Sequence, residues 1–195
     1  MIWEMSGNSD LEAAINTVLF ISQSLIQAQV RLLASCKGLA REQVLWRPAP
    51  FANNIGFNLW HLARSEEAIV HHLGGQQPEL WESEGWHKRF GQPVEAPDPG
   101  DTSVLRDLPI PELGVLVDYL QAVHQRTLAL VSELRQEALD GAPDQSRPDH
   151  TLAVSLRHLT THKNNHHGQI DFIRGLQDDM WNATPGIGIV PPLHA

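Results

Sequence analysis

Apolar residues recur with the helical period along four long stretches of the chain, and no useful length of strand-like alternation interrupts them. The first stretch runs from about Ser9 to Ser35, with Ser9 or Asp10 as its cap and Leu11, Ile15, Val18, Leu25, Ile26 and Leu32 on its apolar face. The second is Ile55 to Leu73, opened by Asn54 and closed by Gly74-Gly75. Its stripe of Ile55, Leu59, Leu62, Ile69 and Leu73 is completed by Glu66, so a carboxylate sits where an apolar residue is expected and requires a partner. The third begins with Pro111 in its first turn and continues to Leu134, before Gly141 and Pro143. The fourth spans about Pro148 to Leu176 and carries Leu152, Leu156, Leu159, His162, His166, Ile170 and Ile173 on one stripe. Two histidines therefore hold core positions.

This pattern predicts an all-α fold, a four-helix bundle with a long connection between its second and third helices. Residues 1–195 read as one domain, with an extended tail from about residue 177. The connection from Gln76 to Leu108 lacks a sustained period, and Trp81, Trp86 and Phe90 are the side chains able to anchor it.

Composition narrows the function. A formal charge of -9, from 23 acidic and 14 basic residues, repels phosphate backbones and anionic lipid, so neither nucleic acid nor a membrane is an expected partner. No leader pattern opens the sequence, and no segment reads as the roughly 20 apolar residues of a membrane span. A cytoplasmic location is expected. Cys36 is the one cysteine, which excludes an intrachain disulfide or a thiolate cluster; its setting at the end of an amphipathic helix reads as a small buried residue.

Histidine is the unusual component. Five of the 11 fall between His150 and His167. His162 and His166 are one helical turn apart, so their imidazoles project from one face and can converge on a single ion. His158 with His162 is an alternative pair, although His158 falls off the stripe. A third ligand must come from elsewhere: His61, His71, His72, His87, His124 and Glu66 are candidates, and His61 lies on the flank of the second helix's apolar stripe. His71 and His72 read as a surface pair at a helix end, His124 as a satisfied core histidine, and His167 as a structural neighbour.

Two motifs sharpen the choice. Asn58-Leu59-Trp60-His61-Leu62-Ala63, followed by Glu66-Glu67, and the later run His162-Lys163-Asn164-Asn165-His166-His167-Gly168-Gln169-Ile170 resemble the DinB/YfiT-like superfamily of metalloenzymes. The resemblance extends from Leu11 to Leu176 and includes Arg47-Pro48-Ala49-Pro50 ahead of the second helix. It implies one divalent ion in a four-helix bundle, held by His61, His162 and His166. Glu66 and Gln169 are the expected supports behind those ligands, because a ligating imidazole usually donates its other N–H to an oxygen. Lys163 or Arg64 is the competing partner for Glu66.

Three neutral imidazoles leave a divalent ion its full charge and an open position for catalysis. Zinc or nickel is the expected metal, with manganese or iron as alternatives. The resemblance implies thiol-dependent transferase chemistry with a low-molecular-weight thiol among the small-molecule partners. Metal-dependent hydrolysis and a non-catalytic, metal-stapled stress-response protein are the competing functions. The tail and any exposed tryptophans are compatible with a homodimer.

Overall fold

Asn16 opens the first long helix, α1 (Thr17–Cys36), its side-chain oxygen accepting the Leu19 N–H at 2.8 Å. The computed structural model describes residues 16–75, 77–95 and 105–182. The expected caps Ser9 and Asp10 lie outside them, as does the chain beyond residue 182, so Asn16 replaces them as the observed start. A short helix, α2 (Arg41–Leu45), precedes the proline-rich Trp46–Pro50 turn.

The second long helix, α3 (Ile55–Leu73), has the expected bounds: Asn54 Oδ1 accepts the Phe57 N–H at 2.7 Å, and Gly74 follows its last turn. Two short helices, α4 (Leu80–Ser83) and α5 (Trp86–Phe90), give the long connection local structure. Trp81, Trp86 and Phe90 are buried against Tyr119. Glu67 ties this segment down, accepting the Leu80 N–H at 2.6 Å and the Tyr119 hydroxyl at 2.5 Å. The third long helix, α6 (Leu113–Glu133), starts two residues after Pro111, and the fourth, α7 (Leu152–Gln177), is capped by Thr151.

Among the described residues all regular structure is helical. Helix α3 packs against α6 and α7, and α1 packs against α7 and α6. By length and composition α1 could cross a membrane, with 20 residues and mean hydropathy 1.2, which corrects the expectation that no segment could. Here its buried Leu25, Ala28, Leu32 and Cys36 face the protein interior.

The interior is not uniformly apolar. One apolar cluster contains Leu32, Ile55, Leu59, Leu62, Leu120, Val123, Ile170 and Ile173; another contains Leu25, Val70, Val131, Leu156 and Leu159. Between them in sequence, each long helix contributes buried polar groups: Gln29, Glu66, His124 with Thr127, and Lys163. Lys163 Nζ lies 2.5 Å from Glu66 Oε2 and donates to Gln29 Oε1 at 2.7 Å, while Thr127 donates to Glu66 Oε1 at 2.7 Å. Buried charge is tolerated here because each member has a partner. This layer lies beside the histidines, since Lys163 directly follows His162.

Candidate metal centre

His61 projects from α3, and His162 and His166 from successive turns of α7, into the contact between those helices. The Nε2 atoms of His162 and His61 are 3.2 Å apart, and those of His166 and His162 are 3.1 Å apart. One ring nitrogen from each of the three lies within 4.8 Å of the others, so the group could hold a metal ion. His166 is buried, whereas His61 and His162 are half-exposed and open the cluster toward solvent.

Each ring is oriented by a neighbour. His61 stacks on Phe57 with the ring planes 6° apart, and His162 stacks on His158 at a centroid distance of 5.3 Å. His166 is fixed by a hydrogen-bond chain. Asn58 Nδ2 donates to the Asn54 carbonyl at 3.1 Å, which turns Asn58 Oδ1 toward His166 Nδ1 at 2.8 Å. An amide oxygen only accepts, so Nδ1 carries the proton and Nε2 presents a lone pair to the cluster. Asn54 is itself held as the α3 cap and by donation to the Leu45 carbonyl at 3.3 Å.

Burial lowers all three imidazoles, with repulsion from neighbouring histidines added at two of them. His162 falls to about 4 through burial, then His61 and His158; His166 falls to about 4 through burial, then His162 and His61; His61 is lowered by burial. At neutral pH the rings are uncharged. A proton on His162 Nε2 can bridge to only one of its two neighbours, which leaves the other close nitrogen pair without a hydrogen bond. A cation removes that conflict. Nitrogen ligands at about 2.0–2.1 Å from a tetrahedral ion stand roughly 3.3–3.4 Å apart, close to the 3.2 and 3.1 Å that separate His162 Nε2 from the other two rings.

The expected supports are distributed differently. Glu66 does not bond these ligands: it pairs with Lys163, and His124 Nδ1 lies 3.6 Å from its Oε1. Burial alone would raise the Glu66 carboxyl, but Lys163 and His124 outweigh it and hold it at about 2. Gln169 is exposed, with no hydrogen bond among the described residues, which corrects its assignment behind the ligands. Seven residues turn a helix about 20° short of two full revolutions, so Gln169 falls just past His162, beyond the edge of the buried arc. The support that sequence reasoning missed is Asn58, three residues after Ile55 and four before Leu62, on the stripe that had singled out Glu66.

The remaining candidates are not part of the cluster, although His158 stacks on it. His158 is exposed; His71 Nδ1 meets the Gln77 carbonyl at 2.6 Å; His87 Nδ1 meets the Trp81 carbonyl at 2.9 Å. His167 is buried 2.9 Å from Ser35 Oγ and 3.2 Å from Asp171 Oδ2. Cys36 is buried, and burial pushes its thiol up to about 12.

Comparison with known proteins agrees with this architecture. A conserved protein of Enterococcus faecalis, known from a crystal structure, superposes with a TM-score of 0.74 over 84% of this chain and 98% of its own. At 24% identity that likeness establishes the shared fold. No curated protein matches the chain. The family model of the DinB superfamily matches residues 24–170, a span that contains every histidine of the cluster. The chain belongs to the DinB superfamily.

Proposed function

We propose that this protein is a metalloenzyme whose four long helices form a DinB-type four-helix bundle around one divalent ion, zinc or nickel, held by His61, His162 and His166. The observation that carries the reading is the convergence of three uncharged imidazoles with no carboxylate among them, one having its lone pair directed inward by Asn58. When bound, the ion would supply Lewis acidity that makes a thiol or a water nucleophilic near neutral pH. The half-exposed side of His61 and His162 leaves access for a small molecule.

The chain's own residues orient and screen the site. Phe57 and His158 hold two of the rings by stacking, Asn58 holds the third by its proton, and the Glu66–Lys163 pair balances charge behind α7. Superfamily membership supports thiol-dependent transfer as the reaction class. The test is transfer of low-molecular-weight thiols to an electrophilic acceptor by zinc-loaded and nickel-loaded protein. Activity that requires the metal and disappears in His166→Ala supports the reading. Equal rates with and without metal contradict it.

A further inference from the structure

A groove of about 450 Å³ lies between α3 and α7, one helical turn from the histidine cluster. Ala68, Ile69 and His72 form one wall, Val154, Ser155 and His158 the other, and Asp144, Arg147 and His150 close its far end. The near end is His158, whose ring lies flat against His162. Ser155 and Val154 lie seven and eight residues before His162, about 10–12 Å along the helix axis. The groove therefore begins one turn from the cluster and leads away from it.

Its chemistry changes along that length. Ala68, Ile69 and Val154 make the middle apolar. At the far end the Arg147 guanidinium has no carboxylate within salt-bridge distance among the described residues. Arg147 Nη2 donates to His150 Nε2, and His150 Nδ1 faces Asp149 Oδ1 at 3.3 Å, so the imidazole orients the guanidinium. Asp144 and Asp149 are lowered first by hydrogen bonds, from Ser146 and His150, and are near enough for the Arg147 charge to lower them too, yet neither forms an ion pair with it: Asp144 Oδ1 accepts the Ser146 N–H and hydroxyl at 2.9 and 2.7 Å, and Asp149 faces His150. The N-terminus of the 26-residue α7 begins at Leu152, beside Val154 and Ser155, and adds positive potential at the same end. The guanidinium and the helix terminus are the groups left to meet an anion there, beside two carboxylates that are already engaged. One planar guanidinium matches one carboxylate.

We propose that this groove is a substrate subsite that binds the carboxylate end of a small organic acid through Arg147 and its apolar chain against Ile69 and Val154, while the reacting end reaches the ion at His162. The subsite itself stands on the groove's geometry; its link to catalysis rests on the metal-centre reading above.

Hexanoate, hexylamine and hexanol, equal in chain length and different in end group, are the probes. Binding to metal-free protein is followed by amide NMR shifts. Hexanoate is expected to move Ile69, His72, Val154 and Ser155, with affinity falling roughly tenfold or more in Arg147→Gln, as loss of a charge-assisted bond requires. Equal binding of hexylamine, unchanged affinity in Arg147→Gln, shifts centred elsewhere, or no hexanoate binding overturns the subsite. With zinc-loaded protein, 6-mercaptohexanoate should bind at least about tenfold tighter than hexanoate, and that gain should be absent from the metal-free protein. No gain in zinc-loaded protein overturns the link to the metal. Failure of zinc to load refutes the metal reading, and the hexanoate result then decides the subsite alone.

Discussion

Replacing Asn58 by leucine tests the logic of the site at a residue outside the histidine set. Asn58 is fully buried, and leucine keeps its branched skeleton in a larger volume, so the change removes hydrogen bonding and adds some overpacking. Two side-chain bonds disappear: the 2.8 Å acceptor for His166 Nδ1 and the 3.1 Å donation to the Asn54 carbonyl. The second loss is mild, because that carbonyl also accepts the Asn58 backbone N–H at 3.1 Å. The first leaves a buried N–H without an acceptor, at a cost of about 1–3 kcal/mol, unless the proton moves to Nε2. If it moves, the ligand lone pair is lost. Either outcome should weaken zinc binding by roughly 10–100-fold, about 1.4–2.8 kcal/mol. Asn58→Asp retains an acceptor and should bind zinc more tightly than Asn58→Leu. Competition against a chromophoric chelator measures the affinities, and nitrogen chemical shifts of the metal-free protein identify the His166 tautomer. Wild-type zinc affinity in Asn58→Leu, or a His166 proton on Nε2 in the unmodified protein, would refute the account.

Other consequences follow from the buried polar layer and its neighbours. Lys163→Met strands Glu66 in the core and should destabilise the fold by about 3–5 kcal/mol in urea unfolding, with much of the loss recovered in the Lys163→Met/Glu66→Leu double variant. Because Glu66 titrates at about 2 in the fold against an ordinary 4.5, its contribution is complete above that ordinary value and lost as pH falls toward 2. Glu66→Gln should therefore flatten the acid limb of stability against pH, and an unchanged limb would contradict the assignment. Cys36, buried with its thiol pushed up to about 12, should react with a disulfide reagent at neutral pH only as fast as the protein unfolds. Gly56→Ala would bring a methyl within 2.5 Å of Ile110 Cγ2 and 3.1 Å of Val44 Cγ1, and should lower stability by about 1–3 kcal/mol in the same urea assay.

The sequence was most legible where one residue's position carried the meaning. Asn54 and Gly74 mark both ends of α3, and the one-turn spacing of His162 and His166 on an apolar stripe predicts their convergence. His61 was less determined, since the flank of a stripe can face a neighbour or solvent and only the packing of α3 on α7 decides. Glu66 showed the need for a partner and left it open between the ligands, Lys163 and Arg64; Lys163 reaches it from another helix, with Gln29 from a third. Asn58 went unnoticed because an asparagine next to leucines reads as a diluted stripe, although its position on the buried face was already written in the period. Gln169 misled for the opposite reason. Adjacent to the motif in sequence, it lies past the point where α7 turns to solvent.

Zinc titration into metal-free protein, followed calorimetrically with helicity checked in parallel, tests the central claim most directly. The account predicts one ion per chain in the wild type and less than about a tenth of that in His162→Ala, whose ring contacts both other imidazoles, with helix content unchanged. Stoichiometric binding by folded His162→Ala, or no binding by the wild type, would contradict it.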